Sequence, residues 1–288
     1  MDYPVIGLTA NVTKPDAPAL AKQLAEQFRE GGARVLCETL TAAAAGMPDG
    51  LPLLQVARAA DYLVVLGGDG TILHTARQLG AEVKPLAALN VGRLGFLTTA
   101  TTAETDGFVR ALLTRNITVT HRRTVQACFT DADGTEHCLS GMNEAVISRG
   151  AASRMVKLSV TINGTFVNSY SCDGLIVSTP TGSTAYNLSA GGPIIYPAAQ
   201  VLCISPICPH AVANRSLVVN DDAQIVLTPI VTAGELLLNM DGGSPVMLSR
   251  EAPVTLTRGP WAVPLVALPG ASFFGLLRQK LQWNGGVV

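Results

Sequence analysis

Residues 63–74 read Leu63-Val64-Val65-Leu66-Gly67-Gly68-Asp69-Gly70-Thr71-Ile72-Leu73-His74. Four consecutive apolar residues are typical of a strand buried on both faces, as in a parallel sheet covered by helices. The glycines that follow allow a tight turn and a close approach of the backbone to a ligand. The run from Ile72 to Leu79 fits a helix, whose N-terminus would offer N–H groups to a phosphate. The pattern predicts a phosphate-binding turn between a strand and a helix, and a plain turn without a ligand is the alternative.

Asp69 is the one carboxylate in this turn. N–H donors around a carboxylate favour its ionised form. We therefore expect Asp69 to be ready to accept a proton or to hold a metal ion.

The composition limits the class of protein. A chain of 288 residues predicts two domains or one large one. With 48% hydrophobic and 14% charged residues it can form a substantial core. A net charge of −1 without a basic block argues against nucleic acid as the main partner. No apolar run is long enough to span a membrane, and the first residues do not resemble a signal peptide, so we expect a cytoplasmic protein.

Six cysteines are spread along the chain, with no Cys-x-x-Cys pair. An even number could indicate disulfides, but the chain is long and shows no export signal. Four scattered histidines make a zinc site improbable. We expect most of the cysteines to be buried thiols.

The first part of the chain alternates strands with helices. Strands are predicted at 5–10, 33–37, 63–66 and 83–90, and helices at 15–30, 53–60 and 72–79, whereas the alanine run 42–45 is predicted to be a mobile loop. This order indicates a parallel α/β sheet covered on both faces, in a Rossmann-like domain. The glycine-rich turns 67–71 and 92–95 both follow strands, at the edge where such sheets bind ligands.

The pattern changes near Asn116. Short segments rich in Val, Ile and Thr follow, and Asn163-Gly164 is a strong hairpin signal. They indicate an antiparallel double sheet of the β-sandwich type. A helix is predicted again at 272–281, returning to the first domain. The predicted domains are 1–116 with 265–288, and 117–264. Strands are expected at 117–130, 135–140, 144–149, 155–162, 165–171, 216–220, 223–228, 235–239 and 253–257.

A second concentration of glycines and small hydroxyl residues runs from Asp173 to Pro193. These residues supply hydrogen bonds at close backbone approach, and Tyr186 offers a flat surface for a base. A Ser/Thr-rich loop without a ligand is the alternative. With one glycine-rich loop in each domain, we expect a nucleotide in the cleft between the domains.

Four segments together resemble the ATP-dependent NAD kinase family. They are Gly67–Thr71, Asn90–Leu97, Asn143–Val146 and Asp173–Pro193, and the segments Ile207–His210 and Asn214–Val219 are also similar to that family. The match covers roughly residues 60–220 in the correct order. Phosphofructokinases and lipid kinases share the Gly67–Thr71 pentapeptide, whereas the Asp173–Pro193 motif is specific.

The resemblance implies phosphoryl transfer from ATP to the 2′-hydroxyl of the adenosine ribose of NAD, with Asp69 accepting the hydroxyl proton and Mg²⁺ bridging the phosphates. Homo-oligomers, dimers or tetramers, are also implied. The implied binding residues are Gly68, Gly70 and Thr71 at the phosphates, Leu73 and Phe96 beside the base, Asn143 and Glu144 on the dinucleotide, Asp173 at an amide or amine of NAD, and Thr184, Ala185, Tyr186 and Ser189 at the adenine end.

Several assignments remain open at this stage. Family members often carry Arg or Gly where this chain has Ser171 and Cys172, which leaves the choice between NAD and NADH undecided. Asn143-Glu144 could simply begin a strand, and Tyr186 could belong to the core. Arg93 and Arg215 have no assigned role, and His210 is expected to be a structural hydrogen-bonding residue. The rival functions are a lipid kinase and a non-catalytic NAD-binding regulatory module.

Overall fold

The computed structural model describes residues 3–92, 95–131, 133–151, 155–211, 213–231, 234–249 and 252–283. Its contacts divide the chain into two compact units, Met1–His121 with Val263–Val288, and Arg122–Ala262. The boundaries predicted from the sequence lie at 116/117 and 264/265, a few residues from these divisions.

The helices and strands follow the chain in this order. The first half contains β1 (Val5–Ala10), α1 (Ala17–Glu30), β2 (Arg34–Cys37), α2 (Thr39–Ala45), α3 (Leu53–Ala59), β3 (Tyr62–Gly67), α4 (Asp69–Leu79), β4 (Leu86–Asn90), β5 (Ala100–Thr101), α5 (Thr105–Leu113), β6 (Thr118–Thr130) and β7 (Glu136–Gly141). The second half contains β8 (Glu144–Arg149), β9 (Val156–Ile162), β10 (Thr165–Cys172), β11 (Gly174–Ser178), α6 (Tyr186–Ser189), β12 (Val201–Ile207), β13 (Leu217–Asn220), β14 (Ile225–Val231), β15 (Leu236–Met240), β16 (Val246–Leu248), β17 (Val254–Ala267) and α7 (Phe273–Leu281).

The first unit is built on a parallel sheet. Its strand order is β2-β1-β3-β4, and the end of β17 adds in parallel beside β4, where Leu265 lies opposite Leu86. From β1 the chain moves outward to β2, and it then continues on the other side of β1 with β3. The order therefore reverses between β1 and β3, which is the position where sheets of this kind bind ligands. This confirms the parallel α/β prediction.

The apolar run that begins the glycine motif lies at the centre of this sheet. Leu63, Val64, Val65 and Leu66 are fully buried, because helices cover both faces. On one face, α1 contributes Leu24 and Phe28 among others to a core that also contains Val64 and Leu66. The strand, turn and helix predicted for residues 63–79 are confirmed, with the helix beginning at Asp69.

One loop prediction was wrong. The alanines of 42–45 belong to helix α2, because the Glu38 side chain accepts hydrogen bonds from the first backbone N–H groups of that helix and Gly46 ends it in a left-handed conformation. Alanine is also the best helix former once an end is capped. Helix α5 and strand β12 were not predicted either. Helix α7 lies within the first unit, as expected.

The second unit contains two layers of β-strands. One layer includes the order β10-β9-β14 with the first part of β17, and the other has the order β13-β12-β11-β8-β15-β16. A single core joins them, with Leu158, Val160 and Ile225 from the first layer packed among Leu175, Leu202 and other residues of the second. The double sheet predicted from the sequence is thus confirmed. At the β9–β10 hairpin, Asn163 and Gly164 both have positive φ, as the hairpin signal requires.

The cysteine prediction needs a correction. Cys128 and Cys138 lie opposite each other on β6 and β7 and are joined in a disulfide. Cys37, Cys172 and Cys203 are buried thiols, and Cys208 is exposed. Pairing between β6 and β7 places Cys128 opposite Cys138, and the spacing of the cysteines in the sequence does not reveal this contact. Of the helices described, none has the length and apolar character needed to cross a membrane.

Candidate functional site

Asp69 is the first residue of α4 and faces the segment that follows β4. Its Oδ2 accepts a hydrogen bond from the Phe96 N–H at 2.8 Å, and its Oδ1 accepts one from the Leu97 N–H at 3.1 Å. These two bonds fix the direction of the carboxylate. The side chain is only partly buried, so a ligand can reach it.

Two glycines make this arrangement possible. A methyl group on Gly95 would overlap Asp69 Oδ1, and one on Gly67 would overlap the Thr71 side chain. Only a residue without Cβ allows the carboxylate to lie this close to the 95–97 segment. The glycines of both turns therefore shape the surroundings of Asp69.

The predicted residues of the first unit lie at or beside this turn. Gly68 is the N-cap of α4, and its N–H donates to Thr71 Oγ1 at 3.4 Å. Gly70 is exposed, and no atom of the described residues lies within 4 Å of the position that a Cβ would take. Phe96 is partly buried under the ammonium of Lys280, 5.6 Å from its ring. Leu73 is buried on the packed side of α4. Arg93 lies outside the described residues.

A pocket of about 360 Å³ adjoins the same turn. Its walls include Asn11 and Val12 after β1, and Gly70, Thr71 and His74 on α4. A larger cavity of about 830 Å³ lies beside the carboxyl end of α1 and along α5, and none of the predicted residues lines it. The smaller pocket includes Gly70 and Thr71 at the N-terminus of α4, where N–H groups favour anions, so it suits a nucleotide better.

Lys14 is a residue of this region that sequence reasoning missed. It lies in the connection after β1, and its ammonium donates to the Val91 carbonyl. A methyl group placed on Gly68 would lie 3.9 Å from Lys14 Nζ, and one on Gly92 would lie 3.6 Å from it. The glycine motif itself contains no lysine, and the fifty-odd residues between Lys14 and that motif hide the proximity.

In the second unit, Asn143 and Glu144 lie at the start of β8 and are held by Asp241. The Asp241 carboxylate accepts hydrogen bonds from the N–H groups of Met142, Asn143 and Glu144, at 2.7, 2.7 and 3.1 Å. A methyl group on Gly141 would come within 2.7 Å of Asp241 Oδ1, so this residue must also be small. Asp241 was not predicted, because it follows β15, nearly 100 residues later in the chain.

The side chains of Asn143 and Glu144 contain buried oxygens that the fold does not satisfy. Asn143 Oδ1 and Glu144 Oε2 have no hydrogen-bond partner within the described part of the chain. The two residues are only 7% and 5% exposed. Burial, and secondly the charge of Asp241, raises the pKa of the Glu144 carboxyl group to about 8. Unpaired buried acceptors are costly, which makes this pair a candidate for contacts with a ligand.

Asp173 forms an ion pair in the structure. Its Oδ1 lies 2.8 Å from Nε of Arg149, and the two side chains are about a third or more exposed, at 39% and 35%. Exposed pairs of this kind contribute little stability. A ligand amide could therefore replace the arginine at modest cost.

The predicted adenine-end residues lie around a single-turn helix. Thr184 and Ala185 are partly buried, whereas Ser189 is exposed and Tyr186 is 44% exposed, so the tyrosine ring does not belong to the core. The buried Asn187 holds this turn: its amide donates to the Ser183 and Pro193 carbonyls, and its Oδ1 accepts from Ser205.

His210 and Arg215 lie near the end of β12 and the start of β13. The His210 N–H donates to the Ser171 carbonyl at 3.0 Å, and Arg215 donates to the Asn214 carbonyl at 3.0 Å. The Arg215 contact is local, the His210 contact joins it to β10, and neither contact assigns a chemical role. Among the described residues, no group of three or more His, Cys, Asp or Glu side chains could hold a metal ion.

Comparison with known proteins connects both units to one family. The ATP-NAD kinase N-terminal domain matches residues 52–117, and the ATP-NAD kinase C-terminal domain matches residues 142–268. The NAD kinase of Methylibium petroleiphilum is 37% identical over 98% of this chain and 95% of its own length. That of Chlorobium chlorochromatii is 36% identical over 96% of each chain.

Solved structures share the fold. The yeast NADH kinase complexed with NADH has a TM-score of 0.89 and 22% identity, covering 99% of this chain and 89% of its own. An NAD kinase from Archaeoglobus fulgidus in complex with ATP has a TM-score of 0.76 and 22% identity, covering 96% and 98%. The matched domains span more than half of the chain, and the relatives align over nearly all of it. The chain belongs to the ATP–NAD kinase family.

Proposed function

We propose that this kinase transfers the γ-phosphoryl group of ATP to the 2′-hydroxyl of the adenosine ribose of NAD, giving NADP. The curated relatives carry the name NAD kinase, and solved structures of the same fold hold NADH or ATP. In the reaction, the 2′-hydroxyl oxygen attacks the γ-phosphorus, and the bond from that phosphorus to the β,γ-bridging oxygen breaks. ADP leaves with the electron pair, and the hydroxyl proton passes to a base.

Asp69 is the base in this proposal. Its carboxylate is oriented by the Phe96 and Leu97 N–H groups and remains accessible. Gly68, Gly70 and Thr71 are assigned to the donor phosphates, because they lie at the N-terminus of α4, where N–H groups and the helix dipole favour anions. Phe96 is assigned to the wall beside the base of the nucleotide, and Leu73 supports that wall from its buried position.

Asn143 and Glu144 are assigned to the dinucleotide. The single observation that carries this assignment is their pair of buried, unpartnered oxygens. Ribose hydroxyl groups and amides can donate hydrogen bonds to these oxygens. Asp173 is assigned to an amide or amine of NAD, and Thr184, Ala185, Tyr186 and Ser189 are assigned to the adenine end.

Mg²⁺ would supply charge neutralisation at the transferred phosphoryl group. The described residues contain no three-ligand cluster for a metal. Mg²⁺ does not need such a cluster, because it keeps several waters and binds through substrate phosphates with one or two carboxylates. We assign no residue as a ligand.

The experiment is a coupled assay for NADP with purified protein, NAD, ATP and Mg²⁺. Asp69→Asn should lower kcat by about 10²–10⁴-fold, the usual contribution of a general base. Asp222→Asn, which removes an exposed carboxylate of the second unit, serves as the charge-matched control and should retain activity. Full activity of Asp69→Asn would exclude the assigned role. NAD binding without turnover in the wild type would favour the regulatory module.

Assembly and location are finer parts of the proposal. Phe166 and Val167 are exposed on β10, an edge strand of the second unit, which supports a homo-oligomer. Light scattering on the purified protein tests this.

Three buried thiols support a reducing cytoplasm, whereas the Cys128–Cys138 disulfide opposes it. Cell fractionation with trapping of free thiols tests the location.

A further inference from the structure

We propose that Lys14 binds the phosphate chain of the donor nucleotide at the carboxyl edge of the first unit's sheet. The inference rests on the proposed use of ATP at the glycine turn. It adds a cation to a motif that has no lysine of its own. Lys14 would act by direct contact with the phosphate oxygens.

The position of Lys14 is built by the connection after β1. The Asn11 N–H donates to the Leu66 carbonyl at 2.8 Å, which ties this connection to β3 just before the glycine motif. Asn11 Oδ1 accepts hydrogen bonds from the N–H and the hydroxyl of Thr13, at 3.1 and 2.7 Å, and the Lys14 N–H donates to the Asn11 carbonyl at 3.1 Å. This turn holds the backbone of Lys14 beside β3.

The side chain of Lys14 reaches the two glycine turns. Its Nζ donates to the Val91 carbonyl and lies within 4 Å of the positions that Cβ atoms would occupy on Gly68 and Gly92. Val91 accepts only one of the three N–H donors of an ammonium group. The remaining N–H donors of Lys14 lie near Gly68 and Gly92, and a ligand can approach there because these two residues have no side chain.

The electrostatic setting favours a phosphate at this point. The sheet order reverses between β1 and β3, so Lys14 and the N-terminus of α4 both lie at the switch point of the first unit. Within the part of the chain that the structure describes, no carboxylate forms an ion pair with Lys14. Asp69 is engaged by backbone N–H groups. A lysine beside a helix N-terminus is a common way to bind phosphate.

A purely structural role is the competing explanation, since Lys14 also holds the Val91 carbonyl ahead of the 92–97 segment. The two roles differ in what they affect. Loss of a phosphate contact weakens ATP binding and leaves NAD binding unchanged. Loss of a structural contact disturbs the surroundings of Asp69 and lowers kcat without a selective effect on ATP.

The test compares Lys14→Met, which keeps much of the length and removes the charge, with Lys14→Arg, which restores a cation. Lys22→Met removes an exposed lysine of α1 and is the matched control. The dissociation constants of ATP and of NAD are measured separately by calorimetry, together with both KM values. Lys14→Met should weaken ATP binding about ten- to hundredfold, and Lys14→Arg should recover most of this loss. NAD affinity should stay within about twofold in all three variants.

Three results would overturn the inference: unchanged ATP affinity in Lys14→Met, equal losses for ATP and NAD, or a loss that Lys14→Arg does not recover although thermal unfolding shows a native fold. Failure of the proposed function would give a different result, because the wild-type protein itself would then not bind ATP or form NADP.

Discussion

Asp69 combines two tasks, because the carboxylate assigned as the base also accepts hydrogen bonds from Phe96 and Leu97. Gly95→Ala tests whether the position of the carboxylate matters for catalysis. Its methyl group would overlap Asp69 Oδ1 and displace the carboxylate, while Asp69 itself is unchanged. We expect kcat to fall by about 10²-fold, the usual cost of misplacing a catalytic group by about 1 Å. Gly107→Ala, where the added methyl group would meet no neighbouring atom among the described residues, is the control in steady-state kinetics. Unchanged kcat in Gly95→Ala would show that the close approach is dispensable.

Glu144 makes stability depend on pH. Its pKa is raised from 4.5 to about 8 in the fold, so the folded state holds a proton that the unfolded state releases from about pH 4.5 upward. The contribution is fully present below pH 4.5 and is lost as the pH rises to about 8, and it amounts to a few kcal/mol. Glu144→Gln should flatten the decrease in Tm of the ligand-free protein across this range. Parallel Tm curves for the two proteins would contradict the prediction.

Tyr186 lies at the surface with 44% of its area exposed, which suits a flat platform for a base. Tyr186→Ala should raise the KM for NAD about tenfold and change kcat little, because stacking contributes to substrate and transition-state binding alike. Steady-state kinetics at saturating ATP measures both values. Tyr196→Ala, another exposed tyrosine of the second unit, is the control. An unchanged KM for NAD would remove Tyr186 from the site.

At the level of elements, the turn Met142–Glu144 depends on a residue from another strand connection. The Asp241 carboxylate accepts from all three N–H groups of this turn, whereas an asparagine side chain in its place could accept with only one of its two terminal atoms. Asp241→Asn should therefore destabilise the protein by about 1–3 kcal/mol and raise the KM for NAD. Urea unfolding and kinetics measure the two effects, with Asp222→Asn as the control. If stability and KM both stay constant, Asp241 does not hold this turn.

Helix α2 is a short helix that depends on the residues capping its two ends. Seven residues rich in alanine are too few to form a stable helix alone. The Glu38 carboxylate at one end and Gly46 at the other satisfy backbone groups that would otherwise be unpaired. Thr41 and Ala42 then bury one side of the helix, so capping and packing together stabilise it.

At the scale of the whole molecule, the first unit is assembled from both ends of the chain. The end of β17 joins its sheet, and Lys280 of α7 lies over the ring of Phe96. Residues after 263 therefore complete the unit that contains the glycine motif. A chain that ends at residue 262 would lack one sheet strand and this contact.

The disulfide between β6 and β7 stabilises the whole chain by restricting its unfolded state. It closes a short loop, since its cysteines are 10 positions apart, and such a loop contributes about 2–3 kcal/mol. Cys128→Ser with Cys138→Ser should lower Tm by several degrees. Dithiothreitol should lower the Tm of the wild type by a similar amount and have no effect on the double variant. An equal response of both proteins to the reductant would mean that this disulfide is not the cause.

Local patterns in the sequence determined the strand, turn and helix around Asp69, the change to an antiparallel β domain near residue 117, and the hairpin at Asn163-Gly164. These features depend on residues close in the chain, through burial periodicity and the backbone freedom of glycine. The tertiary structure alone decided which distant residues support them. Lys14 reaches Gly68 and Gly92, Asp241 holds Asn143 and Glu144, and Cys128 meets Cys138. Strand order and register bring these groups together, and both depend on packing across the whole unit, which no short stretch of sequence records.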